Sequence, residues 1–293
     1  MNKKDVLKIF LKVLLSFLGI FVGFGLIFCA IIWSLQDKIL FYPYHDENSY
    51  NELANKNGFE EVKIESDKWN LHGWIKRNSD LEKAPLVIYF GGNAQNSSHT
   101  FDNFNDENFF KYFEEYNVLY VDYPGYGLST GSPSGSNLLE AGLIVYDYVD
   151  NLEFVDKENI IILGFSIGTG VATYVSSLRE VNGLILLAPY DELLSIYNEK
   201  INIFYGPLKM LVKHNITSYQ YAADVRVSPL IIMTKDDQVI NYKYSLNLVN
   251  YFKDTDDVIV LDGFGHNSFL NQEVVLNNIY DYLQNRLSVI EIQ

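Results

Sequence analysis

Cysteine is almost absent. Cys29 stands alone in 293 residues, which excludes an internal disulfide framework and any cluster of cysteine metal ligands. Basic side chains are scarce, with 22 Lys and Arg against 37 Asp and Glu and a formal net charge of -15. Neutralising a phosphate backbone needs the opposite balance, so nucleic acid is a poor partner for this chain. No repeat of fixed period is present, which argues against a solenoid or array. Four histidines, His45, His72, His99 and His214, show no paired ligand spacing, so no bound metal is expected, and nothing else in the sequence implies a cofactor. Charged residues make up only 20% of the chain and hydrophobic ones 48%, enough apolar material for a sizeable core and against general disorder.

One long apolar run is present. Residues 13–32 read VLLSFLGIFVGFGLIFCAII, without one charge. At 1.5 Å rise per residue, twenty residues span about 30 Å, the thickness of a bilayer's hydrocarbon core. Trp33 closes the run, and Phe41, Tyr42 and Tyr44 follow where an interfacial aromatic belt would lie. A transmembrane helix is therefore expected over 13–33. Lys3, Lys4, Lys8 and Lys12 precede it and only Lys38 follows closely. The positive-inside rule then places residues 1–12 in the cytoplasm and the rest of the chain on the far side. A cleaved signal peptide has a shorter apolar core and a small-x-small site, whereas Cys29-Ala30 is followed by bulky Ile31, Ile32 and Trp33. Lipidation at Cys29 would normally follow a small residue, and Phe28 is not small. Otherwise Cys29 is a small apolar side chain facing lipid.

Residues 34–60 read as a juxtamembrane connector with local turns, ahead of a domain over 61–293. In that domain β-like runs alternate with amphipathic segments. The runs are 61–65, 71–76, 85–90, 118–122, 160–164, 183–188, 230–234 and 258–261, and several, such as LVIYF and LILLAP, are continuously apolar. Continuous apolar runs suit strands covered on both faces. Helical patterns occupy 100–116, 137–151, 167–179, 242–252 and 273–287. The alternation predicts an α/β, mostly parallel, doubly wound sheet, with the first two runs close enough to pair antiparallel. The segment 190–228 is too long for a plain loop, so it is expected to carry helices as a cap.

The strongest chemical signal is Gly164-Phe165-Ser166-Ile167-Gly168, placed between an apolar strand and a helix. So tight a turn strains its central residue and leaves no room for neighbouring Cβ atoms, presenting the serine hydroxyl at its tip. A serine needs a base, and the base needs an acid to fix its tautomer. His266 follows the strand VIVL and Asp236 follows the strand LIIM. Ser166, Asp236 and His266 thus all sit on loops at carboxyl ends of predicted strands, which share one sheet edge. Asp237 and Asp191 are the competing acids. Asp122, in DYPGYG, reads as a brace for its loop. Oxyanion donors are expected from the backbone N–H of Asn93, with Ala94 as competitor, in GGNA after LVIYF, and from that of Ile167.

These residues carry a family resemblance. Leu40-Phe41-Tyr42-Pro43, GGNA at 91–94, DYPGYGLSTG at 122–131, GFSIGTG at 164–170, DDQV at 236–239 and GHN at 265–267 resemble the α/β-hydrolase superfamily. Within it, they resemble the membrane-anchored serine hydrolases related to the fission-yeast bud-emergence homologue. The resemblance covers roughly residues 38–288 and implies the fold, the Ser166–His266–Asp236 roles and hydrolysis of ester or related acyl bonds. Gly91 stands where such proteins often carry histidine, and Ile240 replaces a common proline after the acid's D-x-x-V. The expected function is a membrane-tethered serine hydrolase acting on an acylated small molecule, lipid or lipoprotein. An amidase or peptidase on the same site, and a non-catalytic scaffold retaining the fold, are the competing functions. The sequence is silent on oligomeric state.

Overall fold

The continuous apolar runs become strands of a single eight-stranded sheet because helices cover both of its faces. The computed structural model describes residues 2–78, 80–255 and 257–288. The strands are β1 (Phe59–Glu65), β2 (Asn70–Lys76), β3 (Ala84–Phe90), β4 (Asn117–Val121), β5 (Val155–Phe165), β6 (Gly183–Leu187), β7 (Leu230–Thr234) and β8 (Asp257–Leu261). Their order in the sheet is β1-β2-β4-β3-β5-β6-β7-β8. β1 and β2 form the expected antiparallel pair and β2 meets β4 antiparallel, while the remaining neighbours are parallel.

Along each central strand, side chains alternate between two cores, as the two-residue period requires. Leu86, Ile88, Ile160, Ile162, Leu184 and Leu186 face one core. There they meet Leu138 and Val145 of α4 (Gly135–Tyr148) and Val171 and Val175 of α5 (Ile167–Leu178). Val87, Tyr89, Ile161, Leu163, Ile185 and Leu187 face the other core. Its covering helices are α3 (Ser97–Asp106) and α10 (Glu273–Ser288), through Phe101, Phe104, Val275 and Ile279.

Two expectations are corrected here. The predicted helix over 100–116 is broken: α3 ends at Asp106, Asn108 adopts left-handed φ 55°, and a 3-10 turn occupies Phe109–Phe113. The connector over 34–60 is largely helical. α1 runs unbroken over Lys3–Leu40, and α2 (Glu47–Ala54) follows, capped by the Asp46 carboxylate accepting from the Asn48 and Ser49 N–H groups. α1 stops where Pro43 disfavours helical backbone at Tyr42, and Phe41 is already extended. Its most apolar eighteen-residue stretch has mean hydropathy 2.6 and is not buried by protein at all. This helix is long and apolar enough to cross a membrane. The 190–228 segment carries its own helices as expected, α6 (Leu193–Lys200), a 3-10 turn over Gly206–Leu211 and α7 (Ser218–Ala222). The last of the 61–293 range, 289–293, lies outside the described residues.

Candidate active site

Ser166 sits between the end of β5 and the first turn of α5 with φ 54° and ψ -122°. L-residues rarely adopt this backbone, and it persists only where the surroundings impose it. They do so here through three hydrogen bonds. The Ser166 N–H donates to the Leu187 carbonyl at 3.0 Å, and the Ser166 carbonyl accepts from the Thr169 N–H at 3.0 Å and the Thr169 hydroxyl at 2.6 Å. The flanking glycines are required by approach. A Cβ on Gly168 would lie 2.0 Å from the Phe90 carbonyl oxygen, and one on Gly164 would lie 2.7 Å from that of Gly168. Both obstacles are backbone, which side-chain movement cannot relieve.

The hydroxyl meets its base as the sequence order suggests. His266 Nε2 lies 3.0 Å from Ser166 Oγ, and the imidazole stacks on Phe165 with ring centroids 5.1 Å apart and planes at 27°. His266 is the first residue of a one-turn helix, α9 (His266–Phe269), rather than part of a loop. Its side chain is 7% exposed, so the hydrogen bonds to it operate away from bulk water.

The carboxylate that meets His266 is one residue on from the expected one. Asp237, not Asp236, faces the base, with Oδ2 2.6 Å from His266 Nδ1 and a side chain 2% exposed. Its other oxygen accepts from the Val239 and Ile240 N–H groups at 2.8 and 2.7 Å, which fixes the carboxylate's direction. The Asp236 side chain instead turns to the surface and accepts from the Gly263 N–H at 2.6 Å, pinning the acid loop to the loop before His266. The physical reason lies three residues after the acid. Ile240 is 3% exposed and Val239 is 42% exposed. The apolar residue anchoring this loop is therefore Ile240, and the D-x-x-apolar spacing counts back to Asp237. Asp191 is not in contact with His266; it caps its own loop by accepting from the Glu192 N–H and from Asn247 Nδ2, both at 2.7 Å. Asp122 is a brace, accepting from the Ser97 N–H at 2.6 Å and the Ser97 hydroxyl at 2.8 Å.

Asn93 and Ile167 both line the cavity that holds Ser166. The Ile167 N–H is in the first turn of α5, where a helix leaves its donors without internal acceptors. In the loop after β3, the Gly92 N–H is already engaged with Gln95 Oε1 at 2.6 Å, so the next N–H along the loop is that of Asn93. The Asn93 side chain holds this loop in place in a way the sequence did not reveal. Its Nδ2 donates to the Leu40 carbonyl at 2.5 Å, and its Oδ1 accepts from the Tyr126 hydroxyl at 2.7 Å and the Tyr42 N–H at 3.3 Å. Burial pushes the Tyr126 hydroxyl far above its ordinary pKa, keeping it a neutral donor. The glycine at 91 also has a structural cause, since a Cβ there would lie 2.1 Å from the Tyr120 hydroxyl. The buried tyrosine fills the space a larger residue at 91 would need.

The remaining wall was not legible from motifs. The cavity has a volume of about 430 Å³, and Ile32, Leu35, Gln36 and Leu40 of α1 line it together with Ile196, Tyr197 and Phe204 of the cap. Gln36 and Asp37 are polar residues just beyond an apolar run, the one hint that this helix end touches protein.

The family model for the alpha/beta hydrolase fold matches residues 85–203. An uncharacterized protein of Mycobacterium tuberculosis is 25% identical over 254 residues, covering 86% of this chain and 88% of its own length. Protein bem46 of Schizosaccharomyces pombe is 30% identical over 132 residues, 44% of this chain and 43% of that one. Among solved structures, Est1E from Butyrivibrio proteoclasticus with ferulic acid bound has TM-score 0.65 at 18% identity, covering 78% of this chain and 99% of its own. The Pyrococcus furiosus esterase Pf2001 has TM-score 0.63 at 17% identity, covering 84% and 98%. Identities this low speak to the fold alone.

Proposed function

The chain belongs to the α/β-hydrolase superfamily, and from that premise we propose that it is a membrane-tethered serine hydrolase that cleaves an ester or thioester acyl bond through an acyl-enzyme. The observation that carries the reading is the continuous hydrogen-bond line from Ser166 Oγ through His266 to Asp237, with links of 3.0 and 2.6 Å. Ser166 attacks the acyl carbon while His266 Nε2 takes its proton. Asp237 holds the imidazole in the tautomer that leaves Nε2 free to accept, and stabilises the imidazolium that results. The carbonyl oxygen, now negative, rests on the N–H groups of Asn93 and Ile167. Each such donor contributes on the order of 10²–10³ in rate. The bond from the acyl carbon to the leaving oxygen or sulfur then breaks, and His266 returns the proton to that group. A water, deprotonated by His266, attacks the acyl-serine, releases the acid and restores the hydroxyl. The substrate is an acylated small molecule, lipid or lipoprotein.

Four lysines before the apolar run support a reading with the amino terminus in the cytoplasm and the hydrolase domain beyond the membrane. The test of the chemistry is labelling of detergent-solubilised full chain with a fluorophosphonate. Wild type labels, and Ser166→Ala and His266→Ala do not. An unlabelled, folded wild type overturns the reading. A reporter fused after residue 293 tests the topology, and activity in the cytoplasm would reverse it.

A further inference from the structure

A tether needs no contact with the domain it carries, yet the end of α1 is built into this one. Gln36 donates from Nε2 to the Leu211 carbonyl at 2.6 Å and accepts through Oε1 from the Lys213 N–H at 2.8 Å. Asp37 pairs with Lys213 at 2.6 Å and with His214. Phe41 packs edge-on against the His214 ring. The end of the helix and the cap are therefore joined at three nearby residues, Gln36, Asp37 and Phe41, within two turns. Positions 32, 35, 36 and 40 fall on one helical face at spacings of three and four, and that face lines the Ser166 cavity.

That face starts at the end of the membrane segment. Ile32 is the last residue of the apolar run 13–32, so the cavity wall begins where the bilayer's hydrocarbon ends and continues about 12 Å along the helix to Leu40. The cap beside it exposes apolar side chains that monomeric soluble proteins usually cover: Tyr205 is 55% exposed, Leu208 44% and Met210 82%. These lie on the 3-10 turn that Gln36 holds against α1 and on the residue before it.

We propose that the final turns of the anchor helix form one wall of the acyl-binding cavity, and that the substrate is a long-chain acyl ester taken from the leaflet in which that helix ends. This inference rests on the serine-hydrolase reading above. The acyl chain would lie between Ile32 and Leu35 on one side and Ile196 and Phe204 on the other, with its carbonyl at Ser166. An apolar chain leaving lipid for this cavity crosses little water, whereas a short acyl group would leave most of the wall uncovered. Acyl-chain selection is then a property of the membrane helix as much as of the hydrolase domain.

The test uses full chain in nanodiscs and the ratio of kcat/KM for p-nitrophenyl laurate over p-nitrophenyl butyrate. Wild type should favour laurate. Leu35→Trp and Ile32→Trp, which fill the cavity, should each lower the ratio at least tenfold, and Leu35→Ala should move it the opposite way. Leu26→Trp, at a position 66% exposed on the same helix and outside the cavity, should leave the ratio unchanged. A fluorogenic diacylglycerol should be hydrolysed faster when it shares the enzyme's nanodisc than when offered in separate vesicles. A wild type that labels with fluorophosphonate yet prefers butyrate overturns the proposal. So does a ratio that neither tryptophan moves, or equal turnover from the two lipid sources. Absence of labelling in the wild type would instead overturn the hydrolase reading beneath it.

Discussion

The two sides of the cleft are held by different means. On the Ser166 side, backbone does the positioning: Ser166 lies between β5 and α5, its N–H and carbonyl are both bonded, and the surrounding atoms leave no alternative path. On the side formed by α1 and the cap, side chains do it, through Gln36, Asp37 and Lys213 reaching across more than 170 positions of sequence. Backbone-held geometry tolerates almost no substitution and moves little. Side-chain-held geometry can be loosened one bond at a time, which suits a wall that must admit substrate. The acid loop stands between these extremes, fixed by backbone donors but aligned by the burial of one isoleucine.

The largest expected effect tests that acid loop. Asp237→Asn should lower kcat by about 10⁴-fold, because the amide can donate to Nδ1 and favour the wrong tautomer. Asp236→Asn keeps an oxygen for the Gly263 N–H and should stay within about tenfold of wild type. Kinetics on any turned-over ester decides between them, and the reverse ranking would return the acid role to Asp236. Gly168→Ala comes next. Its methyl would meet the Phe90 carbonyl at 2.0 Å, so β3 and α5 must part, at a cost of several kcal/mol within the large-effect range. Thermal or denaturant unfolding measures it, and a loss under about 1 kcal/mol would mean that the elbow is less constrained than its contacts imply.

This contrast also explains what was readable without the structure. The strand order of chemistry, Ser166 before the acid before His266, was legible because each residue follows its own apolar strand and the parallel sheet gathers those strand ends. The elbow was legible because a local pattern causes it. Asp237 was misplaced by one because adjacent aspartates look alike until the burial of Ile240 against the exposure of Val239 is known. The helix break at Asn108 was missed because Phe109 and Phe113 remain buried and preserve the apolar pattern of a continuing helix. The place of α1 in the cavity wall had no local signal beyond polar Gln36 and Asp37, since it depends on contacts between the first helix and the cap.

Asn93→Ala probes the oxyanion loop, where both kinds of support meet. The change leaves the buried Tyr126 hydroxyl without its acceptor, costing about 1–3 kcal/mol of stability. It also frees the backbone beside Ser166, and a misplacement near 1 Å can cost up to about 10²-fold in rate. If the N–H of Asn93 serves the oxyanion, kcat should fall more than KM rises. A variant that loses stability with kcat unchanged would confine Asn93 to a structural role.

The smallest effect belongs to the latch between α1 and the cap. The Lys213 N–H is bonded to Gln36 Oε1 at 2.8 Å, so its exchange with solvent reports that single contact. Part-buried neutral hydrogen bonds contribute about 1 kcal/mol each, and the adjoining Lys213–Asp37 pair, partly exposed on both partners, adds at most about 1 kcal/mol more. Gln36→Ala removes both of its bonds to the cap and should therefore speed exchange at the Lys213 amide by up to roughly thirtyfold, while amides in β5 and α5 keep their protection. Asp37→Asn should do the same more weakly, and less still at high salt. Acceleration shared by β5 would mean that cap and elbow open together. Acceleration restricted to 211–213 would show the two walls to be mechanically separate, with the α1 wall able to open while Ser166 stays in place.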